Sequence, residues 1–421
     1  MLVTVPAPVT APDAPVEEVP SIVVFSPLFP SSAQPIAGTF VRERMFRLRH
    51  HTRLIVVAPQ PWFPFQSLLT RIWPHYRPAH PVREVQQGID VLFPRFLSVP
   101  GLLRSLDGFS MAVCVLPLMR RLVRTRDLDV IDAHFAYPAG YAAALLGKWL
   151  GLPVSITLRG TESVHLRKPR LAKRVVAAVE QATKVFSVSD ALRRLLIDHG
   201  IAPGRIEVIG NGVDVSRFRP LDRAEARDRL GLSQSTKVLV SVGGLVERKG
   251  FHRVIDVLPA LLQAYPDLCY LVIGAAGPAG DMSAQLRSQV ARLGLHTHVR
   301  FMGVIEPDRL PALLCAADVF VLATRYEGWA NVFLEAMACG LPVVTTRVGG
   351  NAEVVASPEV GTLVPFDDAA ALCDALADAM TRTWDRKRIV EYARQNSWDR
   401  RVDTLRRRFV EMKKAASAVA R

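Results

Sequence analysis

The 421-residue chain has only five cysteines, Cys114, Cys269, Cys315, Cys339 and Cys373. They are odd in number and scattered, and no pair stands at metal-ligand spacing, so neither a disulfide framework nor a metal site is expected. Most sit in apolar runs and read as small buried hydrophobes of a reducing, cytoplasmic compartment. Long apolar stretches are missing as well. None reaches 18 residues, and the closest, around residues 111–119, ends in arginines; this excludes a membrane-spanning helix and leaves a buried or interfacial one. The chain does not begin with a basic segment followed by an apolar one, as a secretory signal would. Residues 1–20, rich in Pro, Ala and Val, read as a disordered leader. No G-x-G-x-x-G opens a helix after the first strand of either half, which argues against a dinucleotide oxidoreductase. Aromatic-interleaved basic motifs are also lacking, so nucleic acid is not an expected partner.

What is present is a globular composition, 50% apolar and 22% charged, in a chain long enough for two domains. The formal net charge is +14, and the excess base is uneven. Residues 1–200 carry 24 Lys or Arg against 14 Asp or Glu, whereas the remaining 221 carry 29 against 25. Three clusters stand out: Arg42, Arg44, Arg47, Arg49 and Arg53; Arg120, Arg121, Arg124 and Arg126; and Arg167, Lys168, Arg170, Lys173 and Arg174. Each alone is equally well a solvated face. Three in one half favour an anionic surface such as a membrane leaflet.

Short β-branched and apolar runs alternate with helical patterns along the chain. Strands are expected at 21–25, 54–58, 130–131, 154–158 and 184–188. After a join near 201–220 the pattern restarts, with strands at 237–242, 270–273, 299–301, 319–322 and 342–345. Residues 59–100, rich in Pro and aromatics, read as an irregular excursion. The strands are continuous apolar runs, as in a parallel sheet covered on both faces. The expected fold is therefore α/β, with two doubly wound parallel-sheet (Rossmann-like) domains facing a cleft. The expected divisions are 21–205, 206–395 and a C-terminal helical segment at 396–421. In that segment Val402, Leu405, Phe409 and Met412 share one face.

The richest chemistry lies between Glu327 and Thr346. Glu327 follows a strand, Gly328 permits a tight turn, and Asn331 reads as the N-cap of the helix that carries Glu335. Free amides at such a helix start, at Asn331 and Val332, suit a phosphate or a sugar hydroxyl. Two carboxylates eight positions apart can each accept hydrogen bonds from polyols on one ligand.

This stretch resembles the retaining glycosyltransferases of family 4, of GT-B fold. Their signature is two glutamates separated by seven residues, followed by a stretch like Ala-Met-Ala-Cys-Gly-Leu-Pro-Val-Val. Three further segments match in order: residues 242–250 resemble the family's diphosphate loop, Asn211-Gly212-Val213-Asp214 its interdomain signature, and Val348-Gly349-Gly350 with residues 361–365 the segment after the helix. The resemblance implies that Glu327 contacts the transferred sugar, Glu335 the ribose, and Lys249 the donor diphosphate, assisted by Arg248. It implies no metal and no permanently bound cofactor, only a nucleotide diphosphate-sugar as donor substrate. It also implies that the C-terminal helix crosses back to the N-terminal domain.

The chain departs from the family in two places. Gly244 stands where members often carry Arg, and Arg159, in Thr157-Leu-Arg159-Gly-Thr-Glu162, stands where many carry His. Arg159 cannot act as a base, so its role would be electrostatic or a structural ion pair; Glu162 lies beside it in the same segment. His134, at the end of another strand, is either structural or catalytic. Gly38 approximates a family Gly-Gly loop and is equally a plain turn glycine. The acceptor expected is a saccharide or a lipid-linked one, at the inner membrane face. A sugar-nucleotide epimerase or a non-catalytic nucleotide-binding protein remains the alternative.

Overall fold

The structure, a computed structural model, describes residues 19–35, 37–64, 66, 79–99, 104–277 and 280–419. The expected leader thus lies almost entirely outside the described residues. Two sheets organise the chain. The first is built from β1 (Ser21–Phe25), β2 (Arg53–Val57), β4 (Arg83–Gln86), β5 (Ile89–Leu92), β7 (Val130–His134), β8 (Val154–Leu158), β9 (Lys184–Ser187) and β10 (Ile206–Val208), in the order β10-β9-β8-β7-β1-β2-β5-β4. A separate two-stranded sheet joins β3 (Gln60–Trp62) and β6 (Arg95–Leu97). The third contains β11 (Val238–Val242), β12 (Cys269–Ile273), β13 (Val299–Gly303), β14 (Val319–Leu322), β15 (Val343–Thr346) and β16 (Gly361–Val364), in the order β13-β12-β11-β14-β15-β16.

The α/β reading is borne out, and so are the parallel strands. β1 pairs in parallel with β2 and β7 (Val23 opposite Ile55 and Ile131), and β11 with β12 and β14 (Val240 opposite Leu271 and Phe320). β1, β7, β8, β12, β14 and β15 are buried at every residue. Helices on both faces supply that cover, which is why these strands are apolar runs instead of alternating ones.

Residues 59–100 depart from the expected irregular excursion. Their described part holds four strands, including an antiparallel hairpin, β4–β5, closed by Gln87 and Gly88 at φ 50° and 81°. Two positive φ values in a two-residue loop suit the twist of a hairpin.

The chain falls into two compact units. One comprises Met1–Ile156, Ala177–Lys184 and Asp403–Arg421; the other comprises Thr157–Val176 and Val185–Val402. The first has a core around Val24, Val56, Val115, Ile131 and Leu146, all fully buried. Within it, Lys413 of the helix Trp398–Val419 pairs with Asp129 at 3.2 Å. The four apolar residues expected on one face of that helix are all buried. The second unit packs Val240, Leu271, Phe320, Phe333 and Leu334 into one core. No described helix is long and apolar enough to cross a membrane.

Each large sheet has a point where the chain, after running outward, returns to the strand next to its start: between β1 and β7 in the first, and between β11 and β14 in the second. Such switch points open a crevice beyond the carboxyl ends of the strands, where ligands of parallel sheets bind.

Candidate active site

At the second switch point the loop after β11 and the loop after β14 come together. The turn Glu247–Lys249 ends at Gly250, whose φ of 74° leads into the helix Phe251–Ala264. It carries two adjacent cations, and both reach the same carboxylate: Lys249 Nζ lies 2.5 Å and Arg248 Nη1 3.0 Å from Glu327 Oε1. The Glu327 and Lys249 side chains are 8% and 13% exposed, the Arg248 side chain 32%. Arg248 also stacks over the Tyr326 ring at 5.6 Å. Two cations against one carboxylate leave local positive charge in a half-enclosed place, where Coulomb interactions are weakly screened.

The backbone explains the glycines that surround Glu327. Gly350 N–H donates to the Glu327 carbonyl at 3.1 Å. Gly349, at φ 49°, lies so close to that carbonyl that a Cβ would clash with it. Gly328 lies against the Arg159–Gly160 backbone. Gly244 differs: its φ is ordinary, and an added Cβ would meet nothing nearer than 3.8 Å. Glycine there is not required by packing.

A second group links distant segments. Arg159 Nη1 donates to Asn211 Oδ1 at 2.8 Å, and Asn211 Nδ2 donates to Asn331 Oδ1 at 2.9 Å. This corrects the expected capping role of Asn331. Ala330 is the N-cap of the helix Asn331–Ala338, Asn331 is its first residue, and no side chain caps it. The Asn331 oxygen is engaged by Asn211 instead. Val332 is the second residue of the helix, and Glu335, half-buried, follows one turn in. Glu162 is fully buried, and its Oε2 accepts from the amides of Gly160 (2.7 Å) and Arg159 (3.2 Å), so the carboxylate holds the loop that carries Arg159. The Trp329 indole lies over Gly210. Neither Asn211's bridging role nor Trp329 was drawn from the sequence. The matched Asn211-Gly212 motif was the available signal for the former.

His134 and Gly38 belong to the first unit. His134 is fully buried, its Nε2 3.2 Å from Asp132 Oδ2. Ser155 Oγ donates to Asp132 Oδ1 at 2.6 Å. Burial works against the Asp132 carboxylate, but the charges and hydrogen bonds of His134, Ser155 and Arg44 outweigh it and hold its pKa below the usual range. Arg44 is itself fully buried, which corrects its reading as part of a surface cluster. That cluster breaks up further, with Arg47 paired to Glu43 at 3.2 Å. Gly38, at φ 69°, packs against the Leu28 carbonyl, where a Cβ would clash, so the turn of the chain itself accounts for this glycine.

A doubly wound α/β architecture defines a class of proteins that bind ligands at the switch point, and paired cations there suit an anionic group. Two family models match. "Glycosyl transferases group 1" matches residues 222–396, and "Glycosyltransferase Family 4" residues 68–217. A putative teichuronic acid biosynthesis glycosyltransferase of Bacillus subtilis is 29% identical over 84% of this chain and 87% of its own. A D-inositol 3-phosphate glycosyltransferase of Catenulispora acidiphila is 36% identical over 64% of this chain and 67% of its own. Among solved structures, Anabaena HepE in complex with UDP-glucose is similar at a TM-score of 0.67 and 21% identity, over 94% of this chain and 99% of that one. The chain belongs to the group 1, family 4 glycosyltransferases, and it is a glycosyltransferase of GT-B fold.

Proposed function

We propose that this protein moves a sugar, with retention of configuration, from a nucleotide diphosphate-sugar to a saccharide or lipid-linked acceptor in the assembly of a cell-surface polysaccharide. In this reading residues 206–395 form the donor domain and residues 21–205 the acceptor side. The bond from the anomeric carbon to the diphosphate oxygen breaks, and its electron pair leaves with the nucleotide. An acceptor hydroxyl oxygen bonds to that carbon, and its proton passes to the departing diphosphate oxygen.

The convergence of Lys249 and Arg248 on Glu327 carries the reading. A diphosphate draws the two cations, which then stabilise the charge that builds on the leaving group, where stabilisation lowers the barrier most. Glu327 is left beside the sugar, and Glu335 takes the ribose hydroxyls. The Asn331 and Val332 amides add to the phosphate cradle near Gly244 and Gly328. Arg159 supplies a fixed charge, its loop held by Glu162. Gly38 and His134 belong to the acceptor side, His134 acting through its pair with Asp132. Protein cations do the work of a metal, so the reaction is metal-independent. The nucleotide of HepE and the name of the Bacillus subtilis relative support the donor and pathway classes. The enzyme works in the cytoplasm, at an anionic membrane surface.

The test is release of nucleoside diphosphate by the purified protein from a panel of sugar nucleotides, with saccharide and lipid-linked acceptors. Turnover with at least one pair is expected. No binding or turnover of any donor would sink the assignment.

A further inference from the structure

The turn that carries Glu327 is held by a neighbouring segment, residues 348–354, which is itself anchored on two sides. Gly350 fits between that turn and a second element: a Cβ on it would stand 2.3 Å from the Gly328 carbonyl oxygen and 3.0 Å from Ser189 Cβ. Asn351, fully buried, opens the helix Asn351–Val354 and ties it to the strand ends. Its Nδ2 donates to Thr324 Oγ1, just past β14, at 3.1 Å and to the carbonyl of Thr346, the last residue of β15, at 2.9 Å. Two residues on, Glu353 reaches the other way. Its Oε2 accepts from the Asp190 amide at 2.7 Å and its Oε1 from the Ala191 amide at 2.9 Å, at the start of the helix Asp190–Ile197. All these residues belong to the second unit.

The helix Asp190–Ile197 has a local start of its own. Ser189 is its N-cap and accepts from the Leu192 amide at 3.3 Å. Asp190 pairs with Arg193 and Arg194 of the same helix, both at 2.6 Å. A carboxylate brought from 163 residues away therefore joins two segments instead of merely capping one. Bonds from backbone amides to an ionised carboxylate at a helix start are short and strong, so they fix the chain that bears the carboxylate.

We propose that Glu353 is a positioning residue for sugar transfer, a strut that holds residues 348–354 and, through Gly350, the turn that presents Glu327 to Lys249 and Arg248. A misplacement of about 1 Å at a reacting centre can cost about a hundredfold in rate, so a prop at the Glu327 carbonyl is felt in kcat. The inference rests on the reading of Glu327 as the group beside the transferred sugar.

Glu353→Gln is nearly isosteric, but its side-chain amide turns a donor toward one of two backbone donors. Trp329, two residues beyond Glu327 and lying over Gly210, reports the place of the turn. The full-length protein is prepared with 5-fluorotryptophan, Trp329→Phe assigns one fluorine resonance, and spectra are taken without donor or acceptor. Glu353→Gln is expected to move the Trp329 resonance and leave the others in place. It should lower kcat by about tenfold with donor KM held within about twofold. In a Glu327→Gln background the same change should have no further effect on kcat, because the group it positions is already altered. Asp190→Asn, which frees only the two arginines of its own helix, should change neither the resonance nor kcat. Glu353→Asp keeps the charge but is too short to reach both amides, and it should move the same resonance even if Glu353→Gln folds poorly.

Three results would each overturn the proposal: a Trp329 resonance unmoved in the folded Glu353 variants, a loss confined to KM, or an equal fall in kcat with and without the Glu327 carboxylate. A parent protein that turns over no donor would defeat the enzymatic reading alone. The resonance is read without substrate and still decides whether Glu353 holds the turn.

Discussion

Both switch points hold a carboxylate with basic partners, yet the two clusters differ in one physical respect. In the first unit Asp132, His134 and Arg44 are sealed from water. In the second, Glu327 meets Lys249 and Arg248, and the cations keep a path to solvent. A sealed ion group must be satisfied internally, because removing one partner leaves a buried charge uncompensated. A half-open one can exchange its partner for a ligand. Position in the topology therefore marks where ligands can bind, and exposure of the cations decides which of two similar clusters can exchange its carboxylate for a bound anion.

The sharpest way to break this comparison is to mutate each cluster and read activity and stability together. Lys249→Ala or Glu327→Gln should lower kcat/KM by on the order of a thousandfold, with the melting temperature nearly unchanged. Full activity in either variant would place the chemistry elsewhere.

Asp132→Asn should do the reverse, costing about 3 kcal/mol of stability at neutral pH while nucleotide affinity holds. The pH dependence has a definite sign. The Asp132 carboxyl is depressed in the folded state, so its contribution is full above the ordinary aspartate range and is lost as pH falls through the depressed value. Acid unfolding followed by circular dichroism should be less steep in Asp132→Asn than in the parent.

Asn211→Ala removes both hydrogen bonds that join Arg159 to Asn331, and should lower kcat/KM roughly tenfold. A change in KM alone would limit Asn211 to donor binding. The smallest effect, and the one that tests the departure from the family, is Gly244→Arg. The space around Gly244 admits a side chain, and an added cation should tighten nucleoside diphosphate binding by about tenfold in calorimetry. Weaker binding would show that Arg248 already fills that role.

Much of this was legible in order along the chain. Apolar runs such as residues 319–322 and 342–345 announce parallel strands, and the Glu327–Glu335 spacing with the segments at 242–250 and 211–214 announces the family. Other features were not legible, for stated reasons. The hairpin at β4–β5 is short and lies at the sheet edge, so the alternation around Gln87-Gly88 is a weak signal beside the neighbouring prolines. Arg44 reads as one arginine among five, because a charge count carries no burial. Asn331 looks like an ideal cap. Asn211, 120 positions away, instead engages its side chain, and the helix start shifts by one residue.

The sequence by itself determined the α/β class, the family and the order of its motifs, because the period of apolar residues and the spacing of glycine, lysine and glutamate are local properties. Only the tertiary structure decided that Lys249 and Arg248 share Glu327, that Asn211 bridges Arg159 and Asn331, and which charged cluster is closed to water. Those outcomes depend on segments between 52 and 120 residues apart meeting at the ends of parallel strands, and local pattern has no term for that distance.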